Sequence, residues 1–177
     1  TGDASITTGI SSVGKSGSME VTTGASTSAS SGDVVVAAGG TVAGDGGTVS
    51  VTAGSSLLET GGDVVMRSGS SQSSLTGRIE IRSGSSITGT STGSIVVGTG
   101  SAPDSNEFVG GVDIRSGSSP EAQSGSVKIS AGSSSNLSPP NVGGSVQIMG
   151  GSSFESTGGN IRISSGTSES AMTGNIA

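Results

Sequence analysis

Residues 9–16 form the stretch of this chain whose residue types most specifically suggest chemistry. Their sequence GISSVGKS fits the pattern GxxxxGK[ST], in which backbone amides and a lysine hold nucleotide phosphates. That chemistry requires a helix directly after the loop, because the helix N-terminus directs amides at the phosphates. Residues 17–21, GSMEV, instead resemble the start of a strand. We therefore interpret the match as a coincidence in a chain rich in Gly and Ser.

Carboxylates are the next candidates, as metal ligands or as acid and base catalysts. Asp33 and Asp63 occupy equivalent repeat positions but are two repeats apart, which is about 10 Å if repeats stack as neighbouring strands. Calcium ligands lie within about 2.6 Å of the ion, so this pair cannot share one. Asp113, near Arg115 and Lys128, is the best catalytic group, and it fits a ladder of surface charges more simply. We expect no metal, no cofactor and no enzymatic activity.

Composition excludes several further classes of function. The chain has no His, Cys, Trp or Tyr, and seven basic against 13 acidic residues give a net charge of −6. This balance argues against nucleic acid as a partner. No apolar run approaches membrane-spanning length, so membrane insertion is not expected. Because the chain starts on a repeat boundary and stops inside a repeat, we expect a segment of a longer repeat protein.

A sequence repeat, which we call the phrase, organises the whole chain. Its clearest marker is the closing glycine, which ends each strand-like segment. Seven of the ten steps between successive closing glycines have the same length, that from Gly54 to Gly69, and the other three are longer by one, two and four positions. A disordered linker has no reason to keep such a period. The closing glycines are Gly9, Gly24, Gly39, Gly54, Gly69, Gly84, Gly100, Gly117, Gly132, Gly151 and Gly166.

Each repeat contains a strand-like segment, such as residues 63–69, that ends at the closing glycine. The second and fourth positions of this segment are apolar, for example Val64 and Met66. Residues two apart share one face of a strand, and a helix is excluded by the period and by the Gly content. The phrase always runs in the same direction. We therefore predict an all-β fold, a parallel β-solenoid of about 11 coils with a fifteen-residue basic repeat, over residues 1–177 as one domain. An antiparallel meander is the structural alternative.

Parallel stacking makes three local predictions. The closing glycine should adopt a backbone angle that only Gly reaches without strain. The serines that follow, such as Ser70 and Ser71, should hydrogen-bond the turn and form ladders between coils. Opposite charges should also stack between coils, with Asp63 beneath Arg78 and Lys128 over Asp113.

Exposed polar residues suggest attachment of carbohydrate. Residues 136–138, NLS, form an N-glycosylation sequon at Asn136, followed by Pro139, and the many Ser and Thr residues would accept O-linked sugars. The alternative is that Ser and Thr serve only as small turn residues. An ice-binding surface would need one continuous Thr row. That row is broken after Thr7, Thr22, Ala37 and Thr52.

The phrase in residues 62–71, GDVVMRSGSS, resembles the Gly/Ser-rich β-solenoid repeats abundant in diatoms and related algae, and repeats of bacterial and viral surface proteins. The resemblance is one of repeat texture and covers the whole chain. It implies an extracellular or cell-surface location and a structural role, and it provides no catalytic residues to transfer.

Together these observations predict a structural subunit of an extracellular fibre, sheath or stalk. Copies would stack end to end through uncapped solenoid ends, with themselves as partner and with covalent or bound glycans. The alternative is a passive binding module, such as an adhesin stalk or a glycan-binding or ice-binding solenoid.

Overall fold

The computed structural model describes residues 2–86, 91–102, 109–134 and 142–176. Within these ranges the chain contains no helix and no strand, and its recurring feature is a three-residue bend. It divides into two units, Thr1–Arg82 and Ser83–Ala177. None of the residues described forms a helix that could cross a membrane.

The bends recur at a fixed place, beginning three residues after a closing glycine. A serine side chain stabilises most of them. In the bend after Gly69, Ser74 N–H donates to Ser71 Oγ at 3.0 Å, and in the bend after Gly54, Glu59 N–H donates to Ser56 Oγ at 2.9 Å. This confirms that the serines hydrogen-bond the turn. The bends span residues 12–14, 27–29, 42–44, 57–59, 72–74, 120–122, 154–156 and 169–171.

Each closed loop begins at a closing glycine and ends at a second glycine, which we call the returning glycine. Gly77 N–H donates to Gly69 C=O at 2.9 Å, so this nine-residue loop has its two ends in contact, as in an Ω-loop. Among the described residues, seven pairs of closing and returning glycines form this bond, at 2.8–3.1 Å. The pairs are Gly39 and Gly47, Gly54 and Gly62, Gly69 and Gly77, Gly117 and Gly125, Gly132 and Gly144, Gly151 and Gly159, and Gly166 and Gly174.

The returning glycine lies against the residue that precedes the closing glycine. A Cβ added to Gly77 would lie 3.2 Å from Ser68 Cβ and 3.3 Å from Gly69 N, and one added to Gly125 would lie 3.0 Å from Ser116 Cβ. These distances are tighter than ordinary van der Waals contact. At these two positions the close approach of the backbone therefore requires Gly, whereas a Cβ added to Gly174 would make only ordinary contacts at 3.5 Å or more.

The closing glycines do not have the constraint that we predicted for them. A Cβ added to Gly69 would meet no heavy atom within 4 Å, and the same holds for the other closing glycines. No described glycine has a φ in the left-handed region. The expectation that the closing glycines adopt a Gly-only backbone angle is therefore wrong. The position at which a Cβ would clash is the returning glycine.

The prediction of an all-β parallel solenoid is also wrong for the part of the chain that the structure describes. Stacked coils would place residues one full repeat apart in register and join them by ladder hydrogen bonds. The backbone hydrogen bonds that form here lie within single repeats and close individual loops, as between Gly77 and Gly69. Consequently neither the β-helix nor ladders between coils are present in these residues.

The small apolar content of each repeat explains why the repeats do not stack, and the exposure of the chain is the result. The chain exposes 17857 Å², whereas a compact monomer of this size exposes about 7,600 Å². No described hydrophobic residue is buried. Ordering one residue costs about 1–2 kcal/mol of backbone entropy, and fully burying a Val or Ile returns only about 1.5–3 kcal/mol. Two such residues cannot offset the ordering of a whole repeat, and Gly raises that cost.

We predict that Gly77→Ala opens its loop, because the added methyl group must displace Ser68 or the Gly69 backbone. The amide of residue 77 should lose about fivefold in protection from hydrogen exchange, which corresponds to one net hydrogen bond of about 1 kcal/mol. NMR-detected exchange measures this, with the Gly62 amide as internal reference. Gly69→Ala is the matched control and should leave protection at residue 77 unchanged. Equal loss in both variants would contradict the assignment.

We also predict that Ser71→Ala destabilises the bend at residues 72–74, because Ser74 N–H loses its acceptor. Hydrogen exchange at Ser74 should become about fivefold faster, as expected for a single exposed hydrogen bond. Ser70→Ala removes a neighbouring hydroxyl that is not part of the bend and should leave exchange at Ser74 as it is. A change at Ser74 in the Ser70 variant would show that the hydroxyl of residue 71 is not the cap.

Candidate functional site

The segments between loops carry the charged and apolar residues, and residues 78–82 show their arrangement most clearly. Arg78 Nη2 lies 3.0 Å from Glu80 Oε2, and Arg82 Nε lies 2.5 Å from Glu80 Oε1. One carboxylate thus holds two guanidinium groups. Contacts between residues two apart are typical of extended backbone, in which alternate side chains share a face. Ile79 and Ile81 alternate with these charges and therefore lie on the other face.

A second segment, residues 112–115, repeats this arrangement with a closer pair. Arg115 Nε donates to Asp113 Oδ1 at 2.7 Å, and Arg115 Nη2 donates to Asp113 Oδ2. The bond to Asp113 raises the pKa of the Arg115 guanidinium above its ordinary value, while desolvation acts in the opposite direction. Both side chains are more than half exposed, so the pair adds little stability.

These ion pairs correct the predicted charge ladders. Asp63 was expected beneath Arg78, and Lys128 over Asp113, each pair linking neighbouring coils. Instead, Arg78 pairs with Glu80 of its own segment, and Asp113 pairs with Arg115. The ladder arrangement needs segments about 4.8 Å apart, and without that stacking the nearest opposite charge lies two residues along the chain.

The apolar pairs define a surface that recurs from segment to segment, and we call its second-position residues the apolar row. Row side chains are 50–57% exposed in the nine complete apolar pairs from Val34 onwards, whereas fourth-position residues are 62–76% exposed; Ile176, which has no fourth-position partner in the sequence, is 63% exposed. The row is thus the less exposed member of each apolar pair, although it remains half open to solvent. It comprises Val34, Val49, Val64, Ile79, Ile95, Val112, Val127, Val146 and Ile161.

The phosphate-loop match at residues 9–16 does not have the geometry that phosphate binding requires. Residues 12–14 form a bend, and Gly14 N–H donates to Ser11 Oγ at 3.1 Å. The amide is therefore directed at a serine of its own loop. No helix follows in the described residues. This supports the interpretation of the motif as a coincidence of composition.

The other predicted sites are placed as follows. Asp33 and Asp63 lie in different repeats and form no ion pair with another described residue, and Asn136 lies outside the described residues. Neither a pocket nor a cluster of three metal-ligating side chains is found in the described ranges. Seven of the closing glycines accept the hydrogen bond that closes a loop.

A scan for protein families and searches of curated proteins and of solved structures find no match to this chain. Its function is therefore argued from its own residues.

Sequence reasoning missed the returning glycine, although the sequence carries a signal for it. The residue before each closing glycine is always small, being Thr, Ala, Ser or Gly, as in Ser68 and Ser116. A small side chain at this position, followed by Gly nine residues later, is the pattern that permits the close approach seen between Ser68 and Gly77. The second glycine of each phrase is thus a packing signal.

We predict that Glu80→Gln releases both Arg78 and Arg82, because the single carboxylate that holds them loses its charge. The Arg Nε resonances of both side chains should move toward those of free arginine, and the free energy of unfolding should change by less than about 1 kcal/mol. Asp63→Asn is the control that separates the two registers. It should leave Arg78 unaffected, whereas a response of Arg78 to this variant would restore the ladder between repeats.

Proposed function

We propose that this chain is a structural segment of an extracellular fibre, sheath or stalk, in which copies associate laterally through the apolar row. The observation that carries the proposal is the row itself. A Val or Ile at the same repeat position stays about half exposed in nine successive segments. Large apolar side chains left exposed at one repeat position offer a partner a regular series of contacts, and exposed apolar surface commonly marks an interaction site.

A second copy of the chain is the partner that fits this row best. The row keeps one spacing over most of its length, as from Val49 to Val64 and on to Ile79, and departs from it at particular steps. A partner must carry the same sequence of spacings to match every contact. Another copy does so by construction, whereas a partner with any other period would match only a few of the nine positions.

The charges of the segments favour the same arrangement. In residues 78–82, Glu80 is held between two arginines, and in residues 112–115 Asp113 is held by Arg115. Opposite charges thus pair with one another on the face that carries them, which leaves one net positive charge in residues 78–82 and none on the Asp113–Arg115 pair. The apolar face of each segment is then left as the surface that gains free energy when it leaves water.

The free energy available grows with the number of repeats. Covering the exposed half of one Val or Ile returns about 1 kcal/mol, which is too little to hold two chains together alone. Nine such contacts on one chain act together, because the first contact raises the effective concentration for the next. Association should therefore be cooperative in repeat number, as a fibre-forming segment requires.

This route replaces the stacking of uncapped solenoid ends that the sequence suggested. End-to-end growth of that kind requires a terminal ladder of strand hydrogen bonds, and the described residues form no strand. The proposed role remains structural and non-enzymatic. It is supported by residue types, since the chain has no His, Cys, Tyr or Trp to assemble a catalytic group.

We predict that Val49→Asp, Val64→Asp and Ile79→Asp combined weaken association by at least about a hundredfold, because three row contacts of about 1 kcal/mol are lost. Sedimentation equilibrium measures the dissociation constant. The matched control combines Val42→Asp, Leu57→Asp and Leu75→Asp, which add the same charge at loop residues that are 94–105% exposed. The control should associate like the native chain. If both variants weaken association equally, unspecific hydrophobicity drives it and the row is not the interface.

Ionic strength provides an independent check on the same proposal. Each copy carries a net charge of −6, so copies repel one another at low salt. Raising the salt concentration to about 0.15 M should strengthen association, because the screening length falls to about 8 Å. Association that weakens with salt would indicate ionic contacts between copies instead of apolar ones.

A further inference from the structure

We infer that the peptide bond between Asp45 and Gly46 is a site of spontaneous modification, at which Asp45 isomerises to isoaspartate through a succinimide. This inference is independent of the proposed function. Asp45 is the only aspartate among the described residues that precedes Gly. The other described aspartates precede larger residues, in the pairs Asp3 and Ala4, Asp33 and Val34, Asp63 and Val64, and Asp113 and Ile114.

The reaction is balanced within the chain and water. The Gly46 backbone nitrogen attacks the Asp45 side-chain carbonyl carbon in the protonated carboxyl form, and one water leaves as a five-membered imide forms. One water then adds to either imide carbonyl. Addition at the main-chain carbonyl gives isoaspartate, in which the chain runs through the former side chain, and addition at the other carbonyl restores Asp45. Nothing is oxidised or reduced.

The surroundings of Gly46 leave its nitrogen open to this attack. A Cβ added to Gly46 would meet no heavy atom within 4 Å, and Asp45 and Gly46 are both exposed, so water reaches the imide. The hydrogen bonds of this loop use other amides. Gly47 N–H donates to Gly39 C=O at 3.0 Å, and Ala43 N–H donates to Thr41 Oγ1 at 3.4 Å. The Gly46 amide is committed to neither.

Local flexibility favours the geometry that ring closure needs. The loop of residues 39–47 has five glycines among its nine residues, so the backbone around Asp45 can rotate with little steric resistance. By contrast, Asp33 and Asp63 precede valines, whose branched Cβ hinders approach to the following nitrogen. The three aspartates are all exposed, and Asp45 differs from the other two in the residue that follows it and in its glycine-rich loop.

Isomerisation has a structural consequence that the loop geometry defines. Isoaspartate adds one methylene to the main chain between Gly39 and Gly47, whose ends are joined by a single hydrogen bond. Gly47 also lies in the tightest returning contact of its unit, with an added Cβ 3.0 Å from Ala38 Cβ. A longer backbone path directly before Gly47 displaces it from this contact. The modified loop therefore opens, while the loops of neighbouring repeats stay closed.

The experiment ages the full chain for weeks at neutral pH and physiological temperature. Isoaspartate is assayed by enzymatic methyl transfer from a labelled methyl donor, and it is located by mass spectrometry after cleavage at Lys and Arg. Cleavage at Lys15 and Arg67 releases Asp33, Asp45 and Asp63 in one peptide, so the unreactive aspartates serve as internal controls. Loss of cleavage before residue 45 by an Asp-specific protease gives a second readout.

We expect isoaspartate to accumulate at residue 45 and to stay at background at residues 33 and 63. Gly46→Val should lower the rate at residue 45 by at least about tenfold, because a branched side chain shields the nitrogen. Gly44→Ala is the matched control and should keep the native rate, since its methyl group makes only an ordinary contact with Thr41 Oγ1 at 3.8 Å. Even accumulation at all three aspartates, or an unchanged rate in the Gly46 variant, would overturn the inference.

The structural consequence is measured on the same aged sample. The amide of Gly47 should lose its protection from hydrogen exchange in the isomerised fraction, and the Gly62 amide should keep it. Isoaspartate at residue 45 with full protection at Gly47 would overturn the predicted opening of the loop. Because these readouts are local to one loop, they do not depend on whether copies of the chain associate.

Discussion

One hydrogen bond, from the amide of a returning glycine to the carbonyl of a closing glycine, is the constraint on which this structure depends. It joins residues close in sequence, so the entropy lost on closing each loop is small. The serine-capped bend inside the loop turns the chain back, and the missing Cβ of the returning glycine allows the two ends to meet. Because all three elements are local, a loop closed by this bond forms without help from another repeat.

Because the loops form from contacts within one repeat, the repeats can remain open to solvent. A parallel sheet gains free energy only after distant segments have paired. Here that gain would come from burying two apolar side chains per repeat. The loop gains its hydrogen bonds at once. The half exposure of Val64 and Ile79 shows how little apolar surface the local arrangement removes from water. The half-exposed apolar row is thus a direct consequence of how the loop forms.

The sequence predicted the bonding role of Ser71, because this depends on residues within one repeat, but it placed the turn at the closing glycine and the bend begins three residues later. It did not predict the register. Identical phrases are compatible with contacts between neighbouring repeats and with contacts inside one repeat, and the choice depends on the balance between burial and chain entropy. The ion pairs depend on the same choice, since Arg78 pairs with Glu80 of its own segment and not with Asp63 of the preceding repeat. Likewise, Gly77 and not Gly69 proved sterically constrained, because its neighbour is set by the loop.

The closed loops also give the chain a mechanical property. Each loop keeps a length of backbone between two glycines whose main chains touch, and a pull along the chain loads the single bond at its neck. Rupture of that bond releases about 25–30 Å of slack while the covalent chain stays intact. Seven such necks in series, each worth about 1 kcal/mol, would yield one after another and close again on relaxation. A small load on the chain should therefore draw out these loops before it strains the covalent backbone.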